Sequence, residues 1–407
     1  MTRNFVKIFV ILCLVLDAAT GVAQTRPQAP VRMLPADTVI SLVTFHPGSD
    51  VYELEGHTAL RVTTPEGVDF AANWGMFDFN SPNFVYRFVK GETDYSMGVA
   101  PWSYTEMAYR GQGRRITEHV LDMTPAQKRR LLELLEENAR PENRVYRYNY
   151  VLDNCATRPL EMLEKALGDS IAVPQPEGEP AKMQTFRQMM TYYHRNYPWY
   201  QLGIDLALGS GIDKPLTARQ KAYAPAALDT QIANATVNGK PLTASTVVVN
   251  DVAADNATLP ATPWLLTPGV VFTLIFLLIA WATWRDWRRK RPTRWVDSVL
   301  FGTLGVTGCL LTFLIFVSQH YATSPNWLYL WINPLGLLVA VTVWIKRAEK
   351  LLIWLQIAIF ALIICGICAW PFTGQHFNPA LLPLLLTTML RSGLYIGIRM
   401  RTRKNSK

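Results

Sequence analysis

Cysteine is scarce in this chain, and its placement makes the scarcity informative. Five cysteines occur in 407 residues, and between positions 14 and 308 Cys155 stands alone. A segment with one cysteine cannot close a disulfide of its own, so no framework of bridges holds it together. The sequence also lacks a metal-ligand cluster, a phosphate loop, a dinucleotide fingerprint, internal repeats and low-complexity tracts. Nothing in it asks for a metal or a cofactor.

Positive charge is missing from particular places too. From Trp264 onward five apolar runs follow one another, near 264–284, 295–317, 327–345, 351–372 and 380–398. Each is about 20 residues, enough to cross about 30 Å of hydrocarbon. The connectors "SQHYATSPN" and "PFTGQHFNP" hold no Lys or Arg. The other two hold Arg285, Arg288, Arg289, Lys290, Arg291 and Arg294, then Lys346, Arg347 and Lys350, and the tail is again basic. By the positive-inside rule the basic connectors and the C-terminus face the cytoplasm, and residues 25–262 lie outside. The net charge of +9 therefore reports topology, and nucleic-acid binding is not expected.

The start, "MTRNFVKIFVILCLVLDAATGVAQ", pairs a short basic region with about a dozen apolar residues and then small ones. It reads as a secretory signal over 1–23, with an uncleaved anchor as the alternative. Cys365 and Cys368, a C-x-x-C inside an apolar run, read as packing.

In the outside segment, "DTVISLVTFHP" alternates as a strand. "GHTALRVTTPEGVDFAANWGMF" reads as a hairpin around the turn "TPEG". "SPNFVYRFVKG" and "TPAQKRRLLELLEENAR" read as capped helices, and "VYRYNY" as a strand. It runs into "DNCATRPLEMLEKALG", expected as a helix capped by Asp153 or Asn154. Residues 231–262 read as a strand or two and a linker.

That last helix sets the chemistry. A helix start stabilises a thiolate, so Cys155 is expected to carry a lowered pKa, with amides around Ala156 available to an oxyanion. His57, after Gly56 at the start of a strand, is the base that would take the thiol proton. Asn73, on the next strand of the hairpin, is placed to orient the ring, with Asp78 as the alternative. His46, His119 and His194 have no comparable context. Within the spans, Arg391 and Asn333 are costly polar residues and candidates for a lipid head group, with pairing inside the bundle as the alternative. Asn326 and His320 on an outside connector are candidates of the same kind.

The stretches "PGSDVYELEGHTALRV", "NWGMFDFNSPNFVYRFVKGETDY", "ENARPENRVYRYNYVLDNCATR" and "SPNWLYLWINPL" resemble the lipoprotein N-acyltransferase Lnb family of Bacteroidota, formerly a domain of unknown function. The resemblance covers most of the chain. It implies an α+β permuted papain-like (NlpC/P60-like) thiol domain over 25–230, the strand and linker segment 231–262, an all-α five-span transmembrane bundle over 263–398, and a basic cytoplasmic tail, 399–407. It implies an inner-membrane thiol acyltransferase with a periplasmic domain. The donor is a phospholipid acyl chain, carried as a Cys155 thioester, and the acceptor is the N-terminal amine of a diacylated lipoprotein. Cys155 is then the nucleophile, His57 the base and Asn73 the third member. The rival readings are a membrane-anchored cysteine peptidase or amidase acting on cell-wall peptides, and a non-catalytic lipid-binding scaffold.

Overall fold

A computed structural model describes residues 37–168, 171–253 and 261–404; the signal expected over 1–23 lies outside them. Alternating apolar residues build strand β1 (Val39–Phe45), the hairpin β2 (His57–Thr63) and β3 (Asp69–Met76), and strands β4 (Asp94–Pro101), β5 (Ile116–Leu121) and β6 (Val145–Arg147). A seventh strand, β7 (Thr243–Asn250), comes from the stretch expected as strand and linker. The antiparallel sheet runs β7-β5-β1-β2-β3-β4-β6.

Strand alternation divides this sheet into two packed faces. On one, Ile40, Leu42, Leu60, Val62, Ala72 and Trp74 meet two helices, α3 (Pro125–Ala139) and α4 (Thr157–Leu167). Thr124 and Gln127 cap α3 reciprocally, as its sequence predicts. On the other, Val43, Phe45, Ala59 and Ala71 meet Trp102 and Tyr109 of α2 (Trp102–Gly111). A short helix, α1 (Phe84–Lys90), precedes β4. Helices α5 (Phe186–Tyr193), α6 (Pro198–Ala207) and α7 (Pro225–Ala233) complete the domain.

The C-terminal half is helical. Among the described residues four helices are long and apolar enough to span a membrane, not the five expected. They are α8 (Pro268–Arg289), α9 (Arg294–Phe316), α11 (Glu349–Thr373) and α12 (Leu382–Lys404). The third apolar run gives a 3-10 turn, Trp327–Leu330, and then the short helix α10 (Leu335–Thr342). The break falls at Asn333-Pro334, where proline has no amide to donate and favours a helix start. Hydropathy registers composition and passes over such a break.

Both halves are joined by hydrogen bonds outside the peptide linker. The Gln319 amide donates to Lys90 O (2.7 Å), the Gly209 amide to Ala322 O (2.8 Å), and the Ser210 amide to Pro325 O (2.9 Å). Asn378 Nδ2 donates to Asp205 Oδ2 at 2.7 Å and Trp199 Nε1 to Leu266 O at 2.8 Å. Gly209 fits because it has no side chain: a Cβ there would lie 2.1 Å from Pro325 O.

Candidate active site

The β2–β3 ladder ends at Ala59↔Asn73, and beyond it β3 bulges before Met76. Gly75 sits in the bulge with φ +85°, and a Cβ there would meet the Tyr148 ring at 3.2 Å and Cys155 Cβ at 3.6 Å. Cys155 occupies the opening. The Thr58 amide, one residue past the last pair, and the Tyr148 hydroxyl lie on the side of the sulfur where they favour its thiolate. His57 shares the α2 face with Asn73. Its ring stacks against Phe45 and Tyr109, each at 5.9 Å between centroids.

Asn73 lies against the His57 ring. Its Oδ1 lies 3.1 Å from His57 Nε2, and its own Nδ2 donates to Ala71 O. That donation fixes Oδ1 as the acceptor, so Nε2 carries the proton and Nδ1 keeps the lone pair. Asp78, the alternative, closes a turn with the Asn80 amide.

The expected lowering of the thiol pKa is not found. Cys155 precedes the first turn of α4 rather than opening it. The Ala156 and Thr157 amides donate to Asn154 Oδ1 at 2.8 and 3.0 Å, so Ala156 offers none to an oxyanion. Asn154 is thus the cap, held further by Nδ2 on Tyr150 O and Tyr223 O. Asp153 pairs with Arg158 instead of capping. Burial pushes the Cys155 thiol up to about 11, against the Thr58 and Tyr148 hydrogen bonds. It also pushes the His57 imidazole down to about 4, with help from the Arg114 charge and against Asn73. The resting pair is therefore neutral thiol and neutral imidazole. Cys155 as a whole residue keeps partial exposure.

Three further residues surround the pair. Arg114, 1 % exposed, donates to His46 O and Phe45 O, pairs with Glu53 and lies over the Tyr109 ring. Tyr148 lies against both Gly75 and the sulfur. Glu55 is buried, accepts from the Tyr223 hydroxyl at 2.9 Å, and is pushed up to about 7 by burial. Its charge also raises the Cys155 thiol. The pattern "ELEGH" placed Glu55 two residues before His57, but an acid in a loop reads as solvated, and only the fold buries it.

The other histidines have structural partners. His46 meets Thr117, His119 meets Thr246 and Asp229, and His194 meets Gln201. The residues expected to contact lipid have internal partners too. Arg391 is fully buried, with Nε on Asp297 at 2.6 Å and Nη1 on Asp286 at 2.9 Å. Asn333 Oδ1 accepts from the Leu335 amide and caps α10. His320 donates from Nε2 to Phe88 O at 2.6 Å, and Asn326 from Nδ2 to Leu206 O at 2.8 Å, so both dock the two halves together. No group of metal-binding side chains occurs among the described residues.

Two family models match the chain: the Lnb N-terminal periplasmic domain over residues 27–192, and the Lnb transmembrane domain over residues 260–403. No curated protein and no solved structure matches it.

Proposed function

The chain belongs to the Lnb family, and from that premise we propose that it is a membrane lipoprotein N-acyltransferase working through a Cys155 thioester. The observation that carries this is the opening beside Gly75. There the Cys155 side chain meets the bulge of β3, on the hairpin that also carries His57 and its partner Asn73. The domain holding it is clamped to lipid-spanning helices, which suits a lipid substrate. The fold reads as papain-like and permuted, with His57 before Cys155.

In the first half-reaction Cys155 Sγ attacks the phospholipid ester carbonyl while His57 Nδ1 takes the thiol proton. The oxyanion faces the Thr58 and Cys155 amides and the Tyr148 hydroxyl. The ester C–O bond breaks, His57 returns the proton to the lysolipid oxygen, and the thioester remains. In the second half the lipoprotein amine attacks the thioester carbonyl and passes a proton to His57. The C–S bond breaks, and the sulfur recovers that proton. Because the resting pair is neutral, His57 works as a general base rather than as a standing imidazolium.

The interrupted segment Trp327–Thr342 serves as the fifth passage. It runs antiparallel to α9, with Thr312 Oγ1 on the Tyr329 hydroxyl near one end and Trp344 Nε1 on Ser298 Oγ near the other. On this reading an odd number of passages, with the basic clusters inside, supports a periplasmic catalytic domain and a cytoplasmic C-terminus.

The test uses the purified full chain in phospholipid vesicles with a synthetic diacylated lipopeptide. Mass spectrometry is expected to show one added acyl chain on the lipopeptide amine and, with the acceptor omitted, a hydroxylamine-labile acyl group on Cys155. Cys155→Ala and His57→Ala are each expected to abolish both. Transfer persisting in Cys155→Ala, or cleavage of peptide bonds with the amine untouched, overturns the reading.

A further inference from the structure

A continuous row of aromatic rings links the membrane helices to the nucleophile. At the membrane end Tyr86 of α1 meets Phe313 of α9 at 6.2 Å between centroids, and Phe88 meets His320 at 5.9 Å. Phe84 stacks on Phe88 at 6.2 Å, Phe77 on Phe84 at 6.0 Å, and Phe77 on Tyr95 at 4.9 Å. Tyr95 meets Tyr148 at 4.7 Å, and the Tyr148 ring and Cys155 both border Gly75.

These phenylalanines pack on one another outside the main cores. Phe77, Phe84 and Phe88 belong to none of the four buried apolar clusters. Phe88 is 48 % exposed, and its neighbours Val85 and Tyr86 are exposed as well. Large apolar side chains gathered on a surface mark a place where something apolar docks. A hollow opens along the row, lined by Phe77, Phe84, Phe88 and Tyr95 and by the polar residues Asp78, Ser81, Arg87, Glu92, Thr93 and Asp94. The charged residues of its rim are paired, Arg87 with Asp94 at 3.0 Å and Glu92 with Lys90, so among the described residues no free cation is left there for an anion and the ring faces remain for hydrocarbon. Flat ring faces suit a methylene chain, which they contact by dispersion along its length.

We propose that the row Phe88–Phe84–Phe77–Tyr95 is the path of the donor acyl chain, covering the hydrocarbon of a bilayer phospholipid while its ester carbonyl stands at Cys155. This rests on the acyl-transfer reading and adds the substrate's route. It is continuous with the membrane at α9 and ends at the reacting sulfur, which a surface patch of unrelated purpose has no reason to do.

Two measurements test it. The first compares donors. Phe84→Ala and Phe77→Ala each uncover about two methylenes, so the KM for a long-chain phospholipid is expected to rise about tenfold. Acylation of Cys155 by p-nitrophenyl acetate, which has no chain to guide, is expected to stay within about twofold of wild type. Phe84→Leu, still apolar, is expected to restore most of the phospholipid activity. Equal loss with both donors, or no loss with either, overturns the path. The second measurement needs no turnover. Cys155→Ala protein in nanodiscs is photolysed with a phospholipid bearing a diazirine at its acyl terminus. Adducts on α1 and β4 peptides are expected, and adducts confined to α8–α12 overturn the path. If the adducts fall on α1 and β4 but wild-type protein forms no thioester from phospholipid, the acyl-transfer reading fails and the path stands as a lipid-binding site.

Discussion

A thiol pushed up to about 11 and an imidazole pushed down to about 4 set how Cys155 responds to pH. Only about one thiol in ten thousand is ionised at pH 7, so iodoacetamide alkylation is expected to climb about tenfold per pH unit from 7 to 10. A profile already flat at pH 6 contradicts the neutral pair. Glu55 carries a related prediction. Burial raises its folded pKa from the ordinary 4.5 to about 7, so between those values the folded state holds more protons than the unfolded one. Its stabilising contribution is present below pH 4.5 and is lost as pH rises through about 7, at a cost of about 3 kcal/mol. Glu55→Gln removes that loss, so its Tm advantage over wild type is expected to grow between pH 5 and pH 8. Removing the nearby charge is also expected to shift the alkylation profile to lower pH. Equal Tm differences at both pH values contradict the assignment. Cys155, His57 and Asn73 were legible because a Gly-His strand start and a hairpin register are written in residue types. Thr58 was not, because it acts through its backbone amide, and any residue type supplies one. The helix-start argument for a low thiol pKa failed because burial of the sulfur outweighs any help from the helix start, and Asn154 takes the amides that help relied on.

At the scale of elements, the bulge at Gly75 opens the sheet for Cys155. Gly75→Ala is expected to cost about 1–2 kcal/mol, because φ +85° strains any Cβ, and to lower acyl transfer at least tenfold by pressing on Tyr148 and Cys155. Gly67→Ala is the control, with φ +87° and nothing within 4 Å of a Cβ. It is expected to lose stability but keep its rate per folded molecule. Matching rates for the two variants, by thermal denaturation and single-turnover acylation, count against the bulge. Helices with caps, such as α3, and strands with alternation, such as β1, were readable from local pattern. The union of β7 with β5 was not, since it joins Thr246 to His119 across 127 residues. Long-range pairing leaves no local signature.

Across the whole molecule, the bundle is organised around Arg391 with Asp286 and Asp297, from three different helices. Arg391→Leu leaves two buried carboxylates without their partner and is expected to destabilise the bundle by about 3–5 kcal/mol. Arg391→Lys is expected to recover only part, lacking the two-pronged contact. Thermal unfolding in detergent checks both, and a neutral Arg391→Leu contradicts the role. The sequence displayed the arginine but not its acids, which only the helix packing brings together.

The hydrogen bonds from Gly209, Ser210, Asn326 and Asn378 hold the domain that carries Cys155 at one distance from the apolar helices. On the proposed reaction the enzyme is therefore a depth gauge. A lipoprotein's terminal amine is held at one height by its own anchor, while lysines farther along the same polypeptide ride above the reach of the thioester. Selection of the N-terminus then requires no pocket for a peptide sequence, which lets one enzyme serve acceptors that share nothing but their anchor.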